Sequence, residues 1–182
     1  MTLQIATELN IIPVRRLHPE AKLPTFATKQ SACFDISACL PMGGAIKAYT
    51  NKNELHTWTL NEPQVLLYPG ERYLIPTGWA IACPEDYSLR LYSRSGLAWK
   101  QGLMLVNGVG IVDSDYRHEV CVLFINTSRC STTIEHGMRI CQGEFVSRLV
   151  SNQTFQLNEA YAADDEWFTT QRTGGFGSTG VK

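Results

Sequence analysis

Tyr87-Ser88-Leu89-Arg90-Leu91-Tyr92 alternates with a period of two, so that its odd positions share an apolar face and Ser88 and Arg90 lie on the other. That is the pattern of a strand with one buried face. Downstream, Cys121-Val122-Leu123-Phe124-Ile125 is an unbroken apolar run suited to a strand buried on both faces. Further β-favouring runs at Arg72–Ile75, Trp79–Cys83 and Arg139–Val146 are bounded by Gly, Pro, Asn or Asp, as an antiparallel sandwich or barrel requires. Helical periodicity is scarce. One short helix is predicted over Ser95–Gln101, capped by Ser95 and closed by Gly102. The fold class is all-β.

The 182 residues suit a single domain with a sizeable core. Apolar residues make up 44%, charged residues 18%, and mean hydropathy is -0.12, the balance of a soluble globular chain. No run approaches the roughly 18 apolar residues of a membrane span, and Met1–Val14 lacks the charged and apolar regions of a secretory leader. A cytosolic or nuclear location without membrane contact is expected. The formal net charge of -1 argues against direct, sequence-independent nucleic-acid binding, which needs surplus Lys and Arg to displace counterions. An anionic ligand must then be held by a local cluster. Six cysteines (Cys33, Cys39, Cys83, Cys121, Cys130, Cys141) form no CxxC unit and no Cys/His ligand spacing, and are read as reduced, core-packing residues.

Between Pro41 and Pro69, the polar stretch Tyr49–His56 reads as a long loop or surface hairpin, not a core strand. The chain ends in Gln171-Arg172-Thr173-Gly174-Gly175-Phe176-Gly177-Ser178-Thr179-Gly180, where four glycines disfavour regular structure. Such a tail reads as a disordered end. Arg172 and Phe176 within it also suit a closing arm, a guanidinium for phosphate oxygens and a ring for a base.

Two other constellations carry candidate chemistry. At Ser93-Arg94-Ser95-Gly96, backbone N–H groups, a hydroxyl and a guanidinium converge at the helix start as a phosphate site needs, or form an ordinary cap beside a solvated Arg. In Asn107–Arg117, two glycines and an apolar strand lead into a turn with Asp113, Asp115 and Tyr116. Either the aspartates merely make the turn, or one is a general base with Tyr116 packed on a flat ligand.

In order and spacing these pieces resemble the homotrimeric dUTP pyrophosphatases (dUTPases), which carry five short motifs. Val14–Thr28 looks like that family's first strand and turn, and Ser31–Ile36 its first motif. Ser93–Ala98 is similar to the second, Gly108–Arg117 to the third, Gly137–Gln142 to the fourth and Arg172–Gly180 to the fifth. Cys33, Ser93 and His118 depart from the common residues of the pattern.

The resemblance implies a distorted jelly-roll or β-barrel over residues 1–170, with an insertion near 45–62 and a flexible arm at 171–182. It implies hydrolysis of dUTP to dUMP and pyrophosphate, which limits uracil in DNA and supplies dUMP. Asp113 would activate the water attacking the α-phosphorus, and Tyr116 would pack on the deoxyribose and exclude a 2′-hydroxyl. Asn107 and the hairpin backbone around Gly110 would read uracil. Arg94, Ser95, Gly96 and Gln142 would hold the triphosphate, with Arg172 on the γ-phosphate and Phe176 over the base. Mg2+ would ride mainly on the phosphates, Asp35 touching it through water, and active sites would lie between subunits of a homotrimer. Two alternatives stand beside this: a dCTP deaminase of the same fold, and a nucleotide-gated regulator binding a protein partner through the insertion.

Overall fold

The computed structural model describes residues 9–147 and 154–159. In chain order the strands are β1 (Leu9–Arg16), β2 (Thr25–Phe26), β3 (Phe34–Ser37), β4 (Ala45–Tyr49), β5 (Leu55–Thr59), β6 (Gln64–Leu67), β7 (Arg72–Pro76) and β8 (Trp79–Ile81). After β9 (Tyr87–Ser93) comes the helix α1 (Ser95–Gln101). Then follow β10 (Leu103–Leu105), β11 (Val109–Val112), β12 (Cys121–Asn126), β13 (Thr132–Glu135), β14 (Arg139–Ser147) and β15 (Thr154–Glu159).

Two five-stranded sheets, ordered β11-β9-β14-β3-β2 and β10-β12-β7-β4-β5, carry most of the fold. A three-stranded sheet β15-β1-β8 and a β13-β6 ribbon complete it. Both large sheets are antiparallel. The β9 alternation holds: Tyr87, Leu89 and Leu91 are buried, Ser88 and Arg90 only partly. With Phe34, Ile36, Tyr73, Ile75, Trp79, Val122 and Phe124, Leu89 and Leu91 form one continuous core. This is a distorted jelly roll with one short helix among the described residues.

Of four local expectations, one holds and three are corrected. β12 is buried on one face only, through Val122, Phe124 and Asn126, while Cys121, Leu123 and Ile125 remain half-exposed. Its second face borders a cavity instead of a second packed layer. The polar stretch Tyr49–His56 is the expected surface hairpin, joining β4 to β5, and only the part of β4 that precedes it reaches the core: β4 pairs with β7 and buries Ile46 and Ala48, while every residue of β5 is exposed. Helix α1 has the expected span, but its N-cap is Arg94, whose guanidinium has no acceptor to offer the free N–H groups of the helix and instead donates to Asp35. Gly102 does close it, in the left-handed conformation (φ 66°) that glycine adopts without a Cβ clash. All six thiols are free, but only Cys39, Cys83 and Cys141 are buried, and Cys130 is exposed.

Close packing between the neighbouring strands β14 and β3 rests on a residue without a side chain, for Gly143 lies directly opposite Phe34. A Cβ built on Gly143 of β14 would stand 2.4 Å from Cε2 of Phe34. Gly143→Ala should therefore displace the Phe34 ring and lower the free energy of unfolding by about 1–3 kcal/mol, read from the urea midpoint.

Candidate active site

Strand β9 is hydrogen-bonded on both edges, and its two partners carry the candidate residues. On one side β11 runs antiparallel to it, with Val109 opposite Tyr92, Gly110 opposite Leu91 and Val112 opposite Leu89. On the other, Gln142 of β14 lies opposite Tyr92 and also opposite Asp35 of β3. A glycine is needed at 110, since a Cβ there would be 2.9 Å from Cβ of Leu91. The approach leaves a recess beside β11.

That recess is a cavity of about 190 Å³ lined by Asn107, Gly110, Asp113 and Tyr116 over an apolar base that includes Leu91, Leu105 and Leu123. The structure thus brings together four residues singled out in the sequence. Asn107 sits in a tight turn, where Gly108 N–H donates to the Leu105 carbonyl (3.2 Å) and Val109 N–H to the Asn107 carbonyl (2.7 Å). Ser93 holds the base of this turn, its hydroxyl accepting from Leu105 N–H at 2.9 Å. Asp113 is exposed at the cavity rim and begins a turn closed by Tyr116 N–H on its carbonyl (3.1 Å). The Tyr116 ring is 8% exposed, donates its hydroxyl to the Glu119 carbonyl (2.8 Å), and meets exposed His118 edge to face.

A second group forms around Asp35, which is 7% exposed. Its Oδ1 accepts from Arg94 Nε (3.1 Å) and its Oδ2 from Arg139 Nη1 (2.9 Å). A register shift in β14 between Arg139 and Cys141 accompanies the turn of Arg139 toward Asp35. Arg94 also donates to the Arg139 carbonyl at 3.0 Å. One buried carboxylate is thereby shared by two guanidiniums, leaving net positive charge beside the exposed start of α1 at Ser95 and Gly96. A Cβ on Gly96 would meet nothing within 4 Å, so its backbone is open to a large anion.

Arg139 received no role in the sequence reading. Its position in the Gly137–Gln142 motif was the signal, but its partner lies 104 residues away. Glu119 was missed too. Burial raises its carboxyl above the usual range, opposed by backbone bonds from Gly78 and Thr77 and by nearby His18. Arg172 and Phe176 lie outside the described residues. Among the described residues, no three His, Cys, Asp or Glu side chains form a metal-binding group.

Within one chain the two groups stand apart. Asp113 follows the end of β11 that faces Leu89, whereas Arg94 follows the other end of β9. At ~3.3 Å per strand residue their backbones are roughly 20 Å from each other.

The architecture is that of a jelly roll whose functional candidates sit at strand ends and in a hairpin turn, around a small cavity and a cationic helix mouth. A family model described as dUTPase matches residues 61–180. The deoxyuridine 5'-triphosphate nucleotidohydrolase of Caulobacter vibrioides (strain NA1000 / CB15N) is 37% identical over 159 residues, which cover 87% of this chain and 86% of that protein. Its counterpart from Desulfotalea psychrophila is 38% identical over 159 residues, 87% of each chain. Among solved structures, the dUTPase from Streptococcus mutans matches with a TM-score of 0.57 at 23% identity, covering 77% of this chain and 98% of that one. The chain belongs to the dUTPase family.

Asp35→Asn should leave two guanidiniums competing for a neutral acceptor. A loss of about 1–2 kcal/mol in chemical denaturation is expected, below the cost for a fully buried pair because water screens the half-exposed Arg139.

Proposed function

We propose that this protein hydrolyses dUTP to dUMP and pyrophosphate, with Asp113 as the base that takes a proton from the attacking water. The observation that carries the reading is the cavity in which Asn107, Gly110 and Tyr116 surround a space of nucleoside-fragment size and Asp113 occupies the rim. Uracil presents one donor and two acceptors on a flat edge, which an amide side chain and turn backbone can match. Tyr116 offers its face to the deoxyribose, where a 2′-hydroxyl would collide. The water oxygen bonds to the α-phosphorus as the bond to the bridging oxygen of the β-phosphate breaks. Asp113 receives the water proton, and pyrophosphate leaves with the bridging electrons.

Attack on a polyanion is opposed by charge, so positioning and neutralisation carry most of the rate. Arg94, Ser95, Gly96 and Gln142 hold the triphosphate in this reading, with Arg172 and Phe176 closing from the arm. Both oxygens of Asp35 are engaged by arginines, so an outer contact through water is the role left to it toward Mg2+. The ion is held by the substrate's own phosphates and lowers their charge when bound.

A deaminase mechanism would need a glutamate aimed at the base. The first glutamate after the turn is Glu119, and its carboxylate is directed at Gly78 N–H (2.7 Å). Hydrolysis at phosphorus is the reading favoured.

The separation of Arg94 from Asp113 supports a homotrimer with active sites shared between subunits. Arg94 turns its guanidinium to Asp35 on β3, away from β11 and Asp113 at the opposite edge of β9, so Arg94 of one copy meeting Asp113 of another is the arrangement this reading takes. The half-exposed apolar residues Leu123 and Ile125 on β12, beside exposed Met104 on β10, offer a surface for such contact.

Pyrophosphate release should be rapid with dUTP and Mg2+ and slow with dCTP, dTTP and UTP. Asp113→Asn should lower kcat by about 10²–10⁴-fold while nucleotide binding persists, and undiminished turnover would remove Asp113 from the mechanism. For the shared site, Asp113→Asn and Arg94→Ala proteins are unfolded together and refolded as a mixture. Activity above that of either variant alone is expected, because mixed trimers contain some sites with both native residues.

A further inference from the structure

The turn bearing Asp113 and Tyr116 is secured on its upstream side by the β11–β9 ladder, which ends at Val112. Downstream, residues 117–120 belong to no strand or helix, yet the Tyr116 ring must hold its place in the cavity wall. The β7–β8 turn supplies the fixed point. Thr77 Oγ1 donates to the Val120 carbonyl (2.5 Å), Val120 N–H donates to the Trp79 carbonyl (2.9 Å), and Gly78 N–H donates to Glu119 Oε1 (2.7 Å).

Gly78 is itself immobilised. Its φ is 75°, and an added Cβ would lie 2.6 Å from Cβ of Ala21 and 2.7 Å from Sγ of Cys39. Its carbonyl accepts from the N–H groups of Leu17 (2.8 Å) and His18 (3.2 Å) at the end of β1. Its N–H therefore has one direction, and the Glu119 carboxylate lies there. The Glu119 carbonyl, in turn, accepts the Tyr116 hydroxyl at 2.8 Å. A continuous line of hydrogen bonds runs from the β7–β8 turn through both ends of Glu119 to the ring facing the cavity.

Building on the proposed role of Tyr116 as the sugar platform, we infer that Glu119 is a positioning residue: its side chain anchors to Gly78 so that its carbonyl fixes the Tyr116 ring, and with it the discrimination against a 2′-hydroxyl. The carboxylate meets no substrate in this arrangement. What it contributes is the placement of its own backbone. An acceptor oxygen facing Gly78 N–H is the requirement, while the negative charge and the lesser backbone bond from Thr77 are secondary, so glutamine should serve where alanine or leucine does not.

The experiment compares wild type, Glu119→Ala, Glu119→Gln and Glu119→Leu, the last filling the same space without an acceptor. The ratio of kcat/KM for dUTP to that for UTP should fall on the order of tenfold in the alanine and leucine variants, through a higher KM for dUTP and a relative gain for UTP. It should stay within about twofold of wild type in the glutamine variant. Backbone amide exchange over residues 113–120, measured without nucleotide, should quicken in the same two variants and not in glutamine. An unchanged ratio, or unchanged exchange, in a folded alanine or leucine variant overturns the proposal, and so does a glutamine variant as impaired as alanine. A wild type that does not split dUTP overturns the functional reading instead, and the exchange measurement then decides the anchoring by itself.

Discussion

Everything in the candidate site descends from the double pairing of β9. A strand hydrogen-bonded on both edges, with one face in the core, can move neither sideways nor in register: a slip by one residue would turn Tyr87, Leu89 and Leu91 outward. Its two neighbours inherit that rigidity. Gly110 is held against Leu91, Gln142 against Tyr92 and Asp35 against Gln142, so the cavity and the arginine pair are built from one ladder. Chemistry is then confined to where the ladder stops, because only there are backbone and side chains open to a ligand.

The two ends are stabilised by different physics. At the helix end, Arg94 and Arg139 converge on a carboxylate with little access to water, where fixed hydrogen bonds replace the solvation each group gives up. The result is a cationic mouth held by these side chains. At the hairpin end, the apolar base and a run of neutral hydrogen bonds set the shape, and Asp113 is left at the solvent edge. The proposed reading assigns a flat, weakly polar nucleoside to one of these environments and a highly charged phosphate chain to the other, and the fold keeps the two distinct.

Local patterns made most of the fold legible. The alternation of β9, the position of α1 and its closing glycine each depend on neighbours in sequence, and the structure bears them out. What escaped depends on partners far along the chain. Ser95 looked like the cap because helix starts favour hydroxyls, but the preceding residue took that place with its side chain committed to Asp35, 59 positions earlier. β12 looked doubly buried because composition does not reveal that one of its faces borders a cavity. In the site, Asn107, Gly110, Asp113 and Tyr116 share one stretch of sequence, but it was the resemblance of the five ordered motifs that singled them out, and the structure gathers them at one cavity. Arg139 and Glu119 were not singled out, since nothing local says where an arginine or a glutamate side chain finds its partner.

Trp99 stands one turn into α1 with 89% of its surface exposed, while Trp79 is wholly buried. Of the four tryptophans in the chain, Trp99 thus stands in water, Trp79 in an apolar interior and Trp58 on β5 in between at 37% exposure, environments that fluoresce at different wavelengths. Whatever comes to lie over the helix start, a second copy or a nucleotide, would dry the first indole and leave the second unchanged. With Trp58 and Trp167 replaced by phenylalanine, Trp99 becomes an optical gauge of that surface and Trp79 on β8 its internal reference.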